Sequence, residues 1–399
     1  MNGPLNWISQ VVSVSAFNLR TLPQRIGSSL TAALGIAGVV AVMVGVLSIG
    51  QGILRTMERS SSPDNVIVLR SGATSEMMSG LGGEDTRFIA EAPGIARDAE
   101  GPLASPELFV IINLNKRDTG TDANVPLRGI TRQAPRVHDG FRMIEGRMFE
   151  WGLNEVVVGV GAQREFEGLE LGSSIEVAQE QWPVVGIFEA DGGLAEGEIW
   201  VDAAVLQPAY RRGNSYQAVY AKLTAPSEFQ AFKDALTTDP RLNVKPMRES
   251  EYHSEQSQVL YGLITGIGTL IAAIMGLGAI FGALNTMYTA VSARAREIAT
   301  LRALGFHSSP VVISVLMESL VLALAGGAVG AGLAWLVFDG FRAATLNWSS
   351  FSQITFAFDV SFPLLIQGIV FAVIIGLIGG LFPAVRAARQ PIANALREL

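Results

Sequence analysis

The chain has 399 residues, 49% of them hydrophobic and only 16% charged, with a net charge of −7. That balance excludes a wholly water-soluble set of ordinary domains, and the absence of cysteine excludes a disulfide framework and a thiolate metal site. Charge is also segregated: residues 55–255 hold 20 Lys/Arg against 31 Asp/Glu, a net of −11, which argues against nucleic acid as a partner of that stretch.

At the N-terminus, Leu5–Leu22 places Leu5, Ile8, Val12, Ala16 and Leu19 close to helical spacing. This predicts an amphipathic helix in the membrane interface, within a cytoplasmic segment 1–27. A bilayer core about 30 Å thick needs roughly 20 apolar residues as helix. Four segments meet that requirement: 28–53, 259–291, 311–338 and 362–382. The first is longer than the roughly 7–15 apolar residues of a signal peptide, so it reads as a span. None of the four contains Lys or Arg, and Glu318 is the only acid well inside one.

Short flanks rich in Lys/Arg face the cytoplasm. Arg20 and Arg25 precede span one, Arg294, Arg296 and Arg302 follow span two, and Arg386, Arg389 and Arg397 follow span four. Both termini, the 292–310 loop and the 383–399 tail are therefore expected inside, with 54–258 and 339–361 outside. The predicted fold class is a polytopic α-helical membrane protein with four transmembrane helices and a large extracytoplasmic α+β domain between the first two.

Within 54–258, Asn65–Arg70, Leu108–Leu114, Val125–Ile130, Glu155–Val160, Ser174–Ala178, Val184–Phe188, Glu198–Val201, Gln217–Leu223 and Leu242–Pro246 read as strands. Glu84–Ala92 and Ser227–Leu236 read as helices. The grouping suggests an α+β lobe from 63–130 and 215–250, with a β-rich lobe, 131–214, inserted into it. Met77 and Met78 lie in a Gly-rich loop, either as an adaptable apolar contact or as locally packed side chains.

Span two is 33 residues long, roughly 50 Å at about 1.5 Å per residue. Helix-compatible sequence continues outward through Ser250–Gln258, and through Gly50–Arg59 after span one, which predicts an extended stalk. Beyond span two, Ser292–Leu304 reads as one helix stopped by Gly305. Gly262/Gly266, Gly278/Gly282, Gly326/Gly330 and Gly376/Gly380 are small-xxx-small pairs of the kind that lets membrane helices approach closely. Glu318 requires a partner at its depth; it is expected to reach the headgroup region or an arginine of the 292–310 loop.

No phosphate loop, nucleophile elbow or H-E-x-x-H motif occurs. Gly276-x-Gly278-x-x-x-Gly282 has the wrong spacing for a dinucleotide loop and lies inside a span. His138, His253 and His307 fall on three separate segments, so no His-based cluster is expected. The sequence therefore predicts no catalytic residue, no metal and no cofactor.

The run Arg296-Glu297-Ile298-Ala299-Thr300-Leu301-Arg302-Ala303-Leu304-Gly305, then Met317-Glu318-Ser319-Leu320 and Gly326-Gly327, resembles the permease motif of the MacB/FtsX/LolC family. The tail Pro383-Ala384-Val385-Arg386-Ala387-Ala388-Arg389 and the order of one span, a large outer domain and three spans resemble it too. Two details depart from the family pattern: Phe306-His307-Ser308-Ser309-Pro310 lacks the usual basic residues, and Pro391 falls early.

The resemblance implies a bacterial inner-membrane permease subunit that forms a dimer with a second copy or a paralogue. It also implies a separate ABC ATPase, which binds the ATP and Mg, docked on Arg296, Glu297, Ile298, Leu301, Arg302, Leu304 and Gly305. Motion of the periplasmic domain would then drive export or extraction of a lipoprotein, peptide or drug-like substrate, with a periplasmic adaptor or lipoprotein as a further partner. A second reading is a membrane regulator of an envelope enzyme such as a cell-wall hydrolase. A membrane-embedded enzyme is the third, and it lacks a catalytic constellation.

Overall fold

The computed structural model describes residues 4–21, 26–59, 62–346 and 353–391. These fall into two compact units, one of residues 1–51, 262–341 and 358–399, the other of 52–261 and 342–357.

The first unit is helical. Four helical segments are long and apolar enough to cross a bilayer: Ser29–Met57, Tyr261–Ala293, Ser308–Phe338 and Phe362–Arg389. The first belongs to a helix Ile26–Arg59 and the second to a 45-residue helix Glu249–Ala293. Both therefore outrun the 28–53 and 259–291 bounds set by hydropathy, because polar turns can continue a helix that hydropathy no longer marks. The last helix continues past Phe382 to Arg389, correcting the view of 383–399 as a tail. Pro383 lies inside this helix, where it removes one backbone donor.

The bundle core joins Ile36, Val40 and Val44 of the first apolar helix with Ala323, Ala331 and Ala334 of the third and Leu364, Ala372 and Ile375 of the fourth. The buried contributors from the third helix are alanines, as close backbone packing requires where lipid supplies no hydrophobic drive between helices.

The N-terminal helix, Pro4–Thr21, packs on the third apolar helix through Val14, Ser15 and Asn18. Asn18 Nδ2 donates to the Ser314 hydroxyl, and Trp7 Nε1 donates to Ser309 Oγ at 3.0 Å. The apolar stripe read from sequence lies elsewhere: Ile8 and Val12 are 50% and 60% exposed, which suits lipid contact. Leu22 is outside the described residues.

The second unit is α+β. Its strands are β1 (Asn65–Arg70), β2 (Leu81–Gly82), β3 (Arg97–Asp98), β4 (Gly101–Pro102), β5 (Ala104–Asn115), β6 (Asp122–Ile130), β7 (Phe141–Gly146) and β8 (Val156–Gly159). They continue as β9 (Ser174–Val177), β10 (Glu180–Ala190), β11 (Ile199–Asp202), β12 (Ser215–Tyr216), β13 (Ala218–Lys222), β14 (Val244–Arg248), β15 (Arg342–Leu346) and β16 (Gln353–Ala357). One mixed sheet runs in the order β14-β1-β13-β5-β6-β11-β8-β10-β7, with β9 paired to β10. β6–β11 and β8–β10 are its parallel pairs.

β1 is apolar from Val66 to Leu69 because both of its faces are covered there. Val66 and Val68 join Phe232 and Leu236 of the helix Phe229–Thr238, while Ile67 and Leu69 join Tyr220, Met247 and Tyr252. β5 serves both halves of the sheet. Ala104–Glu107 pair with β13, whereas Leu108–Asn115 pair with β6.

Leu108, Val110, Ile112, Val125 and Leu127 thus share a core with Val156, Trp182 and Val184. The inserted lobe begins near Leu108, which corrects the 130/131 boundary. Alternation along a strand shows that it is buried, and only pairing shows which neighbour buries it. A second correction concerns 339–361, read as a loop. It carries the antiparallel hairpin β15–β16, with Arg342 opposite Ala357, and β16 packs beside the turn Leu194–Gly197 and β6.

Candidate functional site

At one end of the helical unit the long helix stops at Ala293 and a shorter one runs from Ala295 to Ala303. The break is Arg294, whose backbone leaves the helical region at φ −106°, ψ 7°. Ser292–Leu304 is therefore not one helix. The reason is tertiary: Arg294 turns its guanidinium inward, where Nη2 donates to Glu318 Oε1 at 2.8 Å, with both side chains 4% exposed. Glu318 is thus held by an arginine of the loop that follows span two. A buried pair of this kind recovers its desolvation cost only with good geometry, and breaking it costs far more than it nets. Arg294 Nε has no hydrogen-bond partner among the described residues.

The residues assigned to ATPase docking divide. Arg296, Glu297, Leu304 and Gly305 are exposed, and Leu304 is 74% so. Leu301 and Arg302 are half-buried, and the Arg302 guanidinium donates to the Gln390 carbonyl. Ile298 corrects the set, because it is buried among Met287, Val291, Val311, Val315, Ala384 and Ala387 and presents nothing to a partner. Gly305 ends the helix at φ +95°, a left-handed cap that a side chain would strain. A cavity of about 20 Å³ beneath this corner is lined by Asn18, Arg294, Glu297, Leu301 and Glu318, among others.

The glycine pairs divide as well. A Cβ on Gly326 or Gly330 would lie 2.5 or 2.3 Å from the carbonyl oxygen of Ala33 or Ala37 on the first apolar helix. On Gly376 and Gly380 it would meet Ala323 and Ser319 of the third. Gly262, Gly266, Gly278 and Gly282 have nothing within 4 Å of that position. They lie on a face with exposed Leu263, Ile267, Leu270, Ile274, Leu277 and Phe281.

In the outer unit, charged residues far apart in the chain converge. Arg128 on β6 is buried, and its guanidinium makes five hydrogen bonds to three carboxylates. Nη1 meets Glu76 Oε1 at 2.7 Å and Glu107 Oε2 at 3.1 Å. Nη2 meets Glu76 Oε2 at 3.1 Å and Glu198 Oε1 at 2.7 Å, and Nε meets Glu198 Oε2 at 2.7 Å. The rings of Phe109 and Tyr220 lie 5.1 and 5.3 Å from its charge. Trp200 Nε1 donates to Glu198 at 2.9 Å, and the Glu76 amide donates to the Tyr252 hydroxyl at 3.2 Å.

Next to it, His138 Nε2 lies 2.8 Å from Glu107 Oε1. Burial works against the charged imidazole, yet the Glu107 carboxylate, by charge and hydrogen bond, and Glu249 hold its pKa above the ordinary histidine value. Burial likewise works against the Glu107 carboxylate, but His138, Arg128 and the Ser105 hydroxyl hold its pKa below the usual carboxylate range. Desolvation pushes the Tyr220 phenol well up.

A cavity of about 40 Å³ opens onto this cluster, lined by Arg128, His138, Glu198, Tyr220, Glu249 and His253, among others. Separation along the chain did not keep His138 and His253 apart, although no group of metal-binding geometry occurs among the described residues. The turn that carries Met77 and Met78 exposes both methionines, at 46% and 65%, and buries Glu76. A charged residue inside an apolar strand, as Arg128 is in Val125–Ile130 and Glu107 before Leu108–Ile112, was the available signal.

Four apolar helices, with a folded α+β domain between the first and second, define a multi-pass membrane protein. The chain belongs to the MacB/FtsX-type ABC transporter permeases: residues 29–239 match the MacB-like periplasmic core domain and 269–392 the FtsX-like permease C-terminal domain. The macrolide export ATP-binding/permease protein MacB of Chlorobium luteolum is 24% identical, over 92% of this chain and 57% of its own length. The uncharacterized ABC transporter permease YvrN of Bacillus subtilis is 25% identical, over 92% of this chain and 95% of its own. The chain thus spans 57% of that MacB relative. The periplasmic region of MacB from Actinobacillus actinomycetemcomitans aligns with 52% of this chain and 97% of that region at 13% identity, with a TM-score of 0.37.

Proposed function

We propose that the chain is the membrane subunit through which a separate ABC ATPase moves an outer domain, in a dimer in the bacterial inner membrane, with both termini cytoplasmic and no catalysis of its own. The observation that carries this reading is the 45-residue helix Glu249–Ala293, which begins directly after β14 and ends one residue before the Ala295–Ala303 helix. At about 1.5 Å per residue it is roughly 67 Å long, far more than a bilayer core requires. A displacement at its inner end is carried to its outer end without a substrate path between the spans. Arg296, Glu297 and Leu304 supply the exposed docking surface, and Arg294 with Ile298 anchors that surface to the bundle. An export or extraction substrate fits this mechanism, and the similarity to a macrolide export protein, MacB, supports efflux as its use.

The test is a photocrosslinker at Leu304 in native membranes. A nucleotide-binding subunit should be captured, and Glu297→Lys should abolish capture while membrane insertion is unchanged. Undiminished capture in Glu297→Lys, or capture of an envelope hydrolase with no ATPase, would overturn the reading. A flexible Gly-Ser insertion after Glu255 should leave ATPase activity intact and abolish transport.

A further inference from the structure

The cluster around Arg128 joins three parts of the outer unit. Arg128 on β6 and Glu198 and Trp200 on β11 come from the inserted lobe. Glu76, Glu107 on β5, and Tyr220 on β13 come from the lobe into which it is inserted. Glu249, Tyr252 and His253 come from the first turns of the helix Glu249–Ala293. Arg128 is the one buried guanidinium of the cluster, and it faces three carboxylates; Glu249, 2% exposed, adds a fourth. With His138 neutral the cluster holds excess negative charge where water is scarce. Such an excess is costly unless further cations or protons enter.

His138 is placed to relieve it. Its Nε2 is 2.8 Å from Glu107, and its ring lies between Trp200 of the inserted lobe and Tyr220 of the other, at 5.3 and 4.8 Å between ring centroids. Protonated, it adds a cation at the seam of the lobes. On the helix, His253 Nε2 stands 3.6 Å from Glu249 Oε1, too far for a hydrogen bond, and Glu249 Oε2 has no partner among the described residues. Both line the 40 Å³ cavity, which has room for water. The Arg128 cation also faces His138 and works against its charged form, but the carboxylates outweigh it. Asp139, which lines the same cavity, is engaged by Lys222 at 2.6 Å and by the Asn65 amide.

We propose that this cluster is a proton-controlled fastening between the inserted lobe and the root of the second apolar helix, closed while His138 carries its proton and loosened as it loses it. The sign follows from the two groups at its centre. The His138 pKa is raised, so its stabilisation is complete below the ordinary histidine value and is lost as pH rises through the raised value. The Glu107 pKa is lowered, so its share is present above the ordinary carboxylate value and is lost only as pH falls through the depressed value. The fastening is closed between these limits and opens on the alkaline side, when the Glu107 and Glu249 carboxylates lose their cation and water enters the cavity. It concerns residues of the outer unit alone and stands apart from the ATPase reading above.

Hydrogen exchange of the full chain in detergent tests this, with peptides covering 190–198 and 249–256 followed from about pH 6, within the ordinary imidazole range, to about pH 10, well above it. After correction for the intrinsic rate, wild-type exchange in both peptides should rise several-fold with a single step, while the peptide covering β1 does not change. His138→Gln should abolish the step and exchange at the loosened level throughout. A flat wild-type profile, or a step that survives His138→Gln, overturns the proposal. If His138→Gln does not fold, Glu249→Gln decides. Loss of a carboxylate that raises the His138 pKa should move the step to lower pH, and an unmoved step overturns the role given to the helix root.

Discussion

Each unit of this protein buries an arginine, and the two are held in different ways. Arg128 of the outer unit meets three carboxylates and two aromatic faces, whereas Arg294 of the helical unit meets Glu318 alone among the described residues. Water outside the α+β domain permits several charged strands and turns to converge on one guanidinium, so the site is over-determined. In an apolar bundle every added charge is costly, and one acid at the matching depth is all that the spans supply. The difference teaches what each pair is for: a junction of several segments in one case, a single fixed corner at a helix break in the other.

Arg128→Met should have the largest effect, because it strands three carboxylates in one place. A loss of at least about 3–5 kcal/mol, the usual cost of removing one partner of a buried pair, is expected. Thermal unfolding of the full chain in detergent, followed by circular dichroism, measures it. A change below about 1 kcal/mol would show that the cluster is already hydrated, since hydrated ion pairs contribute little.

Glu318→Met should cost about 3 kcal/mol by leaving Arg294 buried and unpaired. Arg294→Met combined with it should recover most of that loss, as replacement of both members of a buried pair often does. No double-mutant replacement at Arg128 should recover as much, because two carboxylates would remain. Equal recovery at both sites would erase the contrast between a network and a pair.

Smaller effects separate the glycines of the bundle. Gly330→Leu would overpack the contact with Ala37 and should destabilise by about 1–3 kcal/mol. Gly278→Ala meets nothing and should leave the subunit unchanged or more stable by about 0.5–1 kcal/mol, the helical preference for alanine. The stability of each variant in monomer-forming detergent is the measurement. A loss in Gly278→Ala that appears only in membranes would place a second chain on that face.

Much of the architecture was legible because it depends on local pattern. Hydropathy located the four spans, and strand-like runs bounded by turn residues located β1, β6, β9 and β11 to within a few residues. Gly305 marked a helix end because only its backbone accepts that turn without strain. The hairpin β15–β16 and the continuation of the last helix beyond Pro383 were missed: each is short or interrupted in sequence and is completed by its neighbours. At the candidate sites, the sequence showed that Glu318 needed a partner but left the partner open, and it assigned Ile298 to a docking surface from which it is turned away.

What the sequence determined by itself was therefore the division into apolar spans and an acidic, strand-rich domain, since burial in lipid or under a sheet leaves a periodic trace in composition. Pairing was decided by the tertiary structure. That β5 would serve two halves of one sheet, that Arg294 would break a good helix to reach Glu318, and that Glu76, Glu107, Arg128, Glu198, His138 and Glu249 would meet depends on contacts between residues far apart in the chain. Such contacts leave no periodic trace: a lone charge in an apolar run shows that a partner is required, and only the folded neighbour supplies its identity.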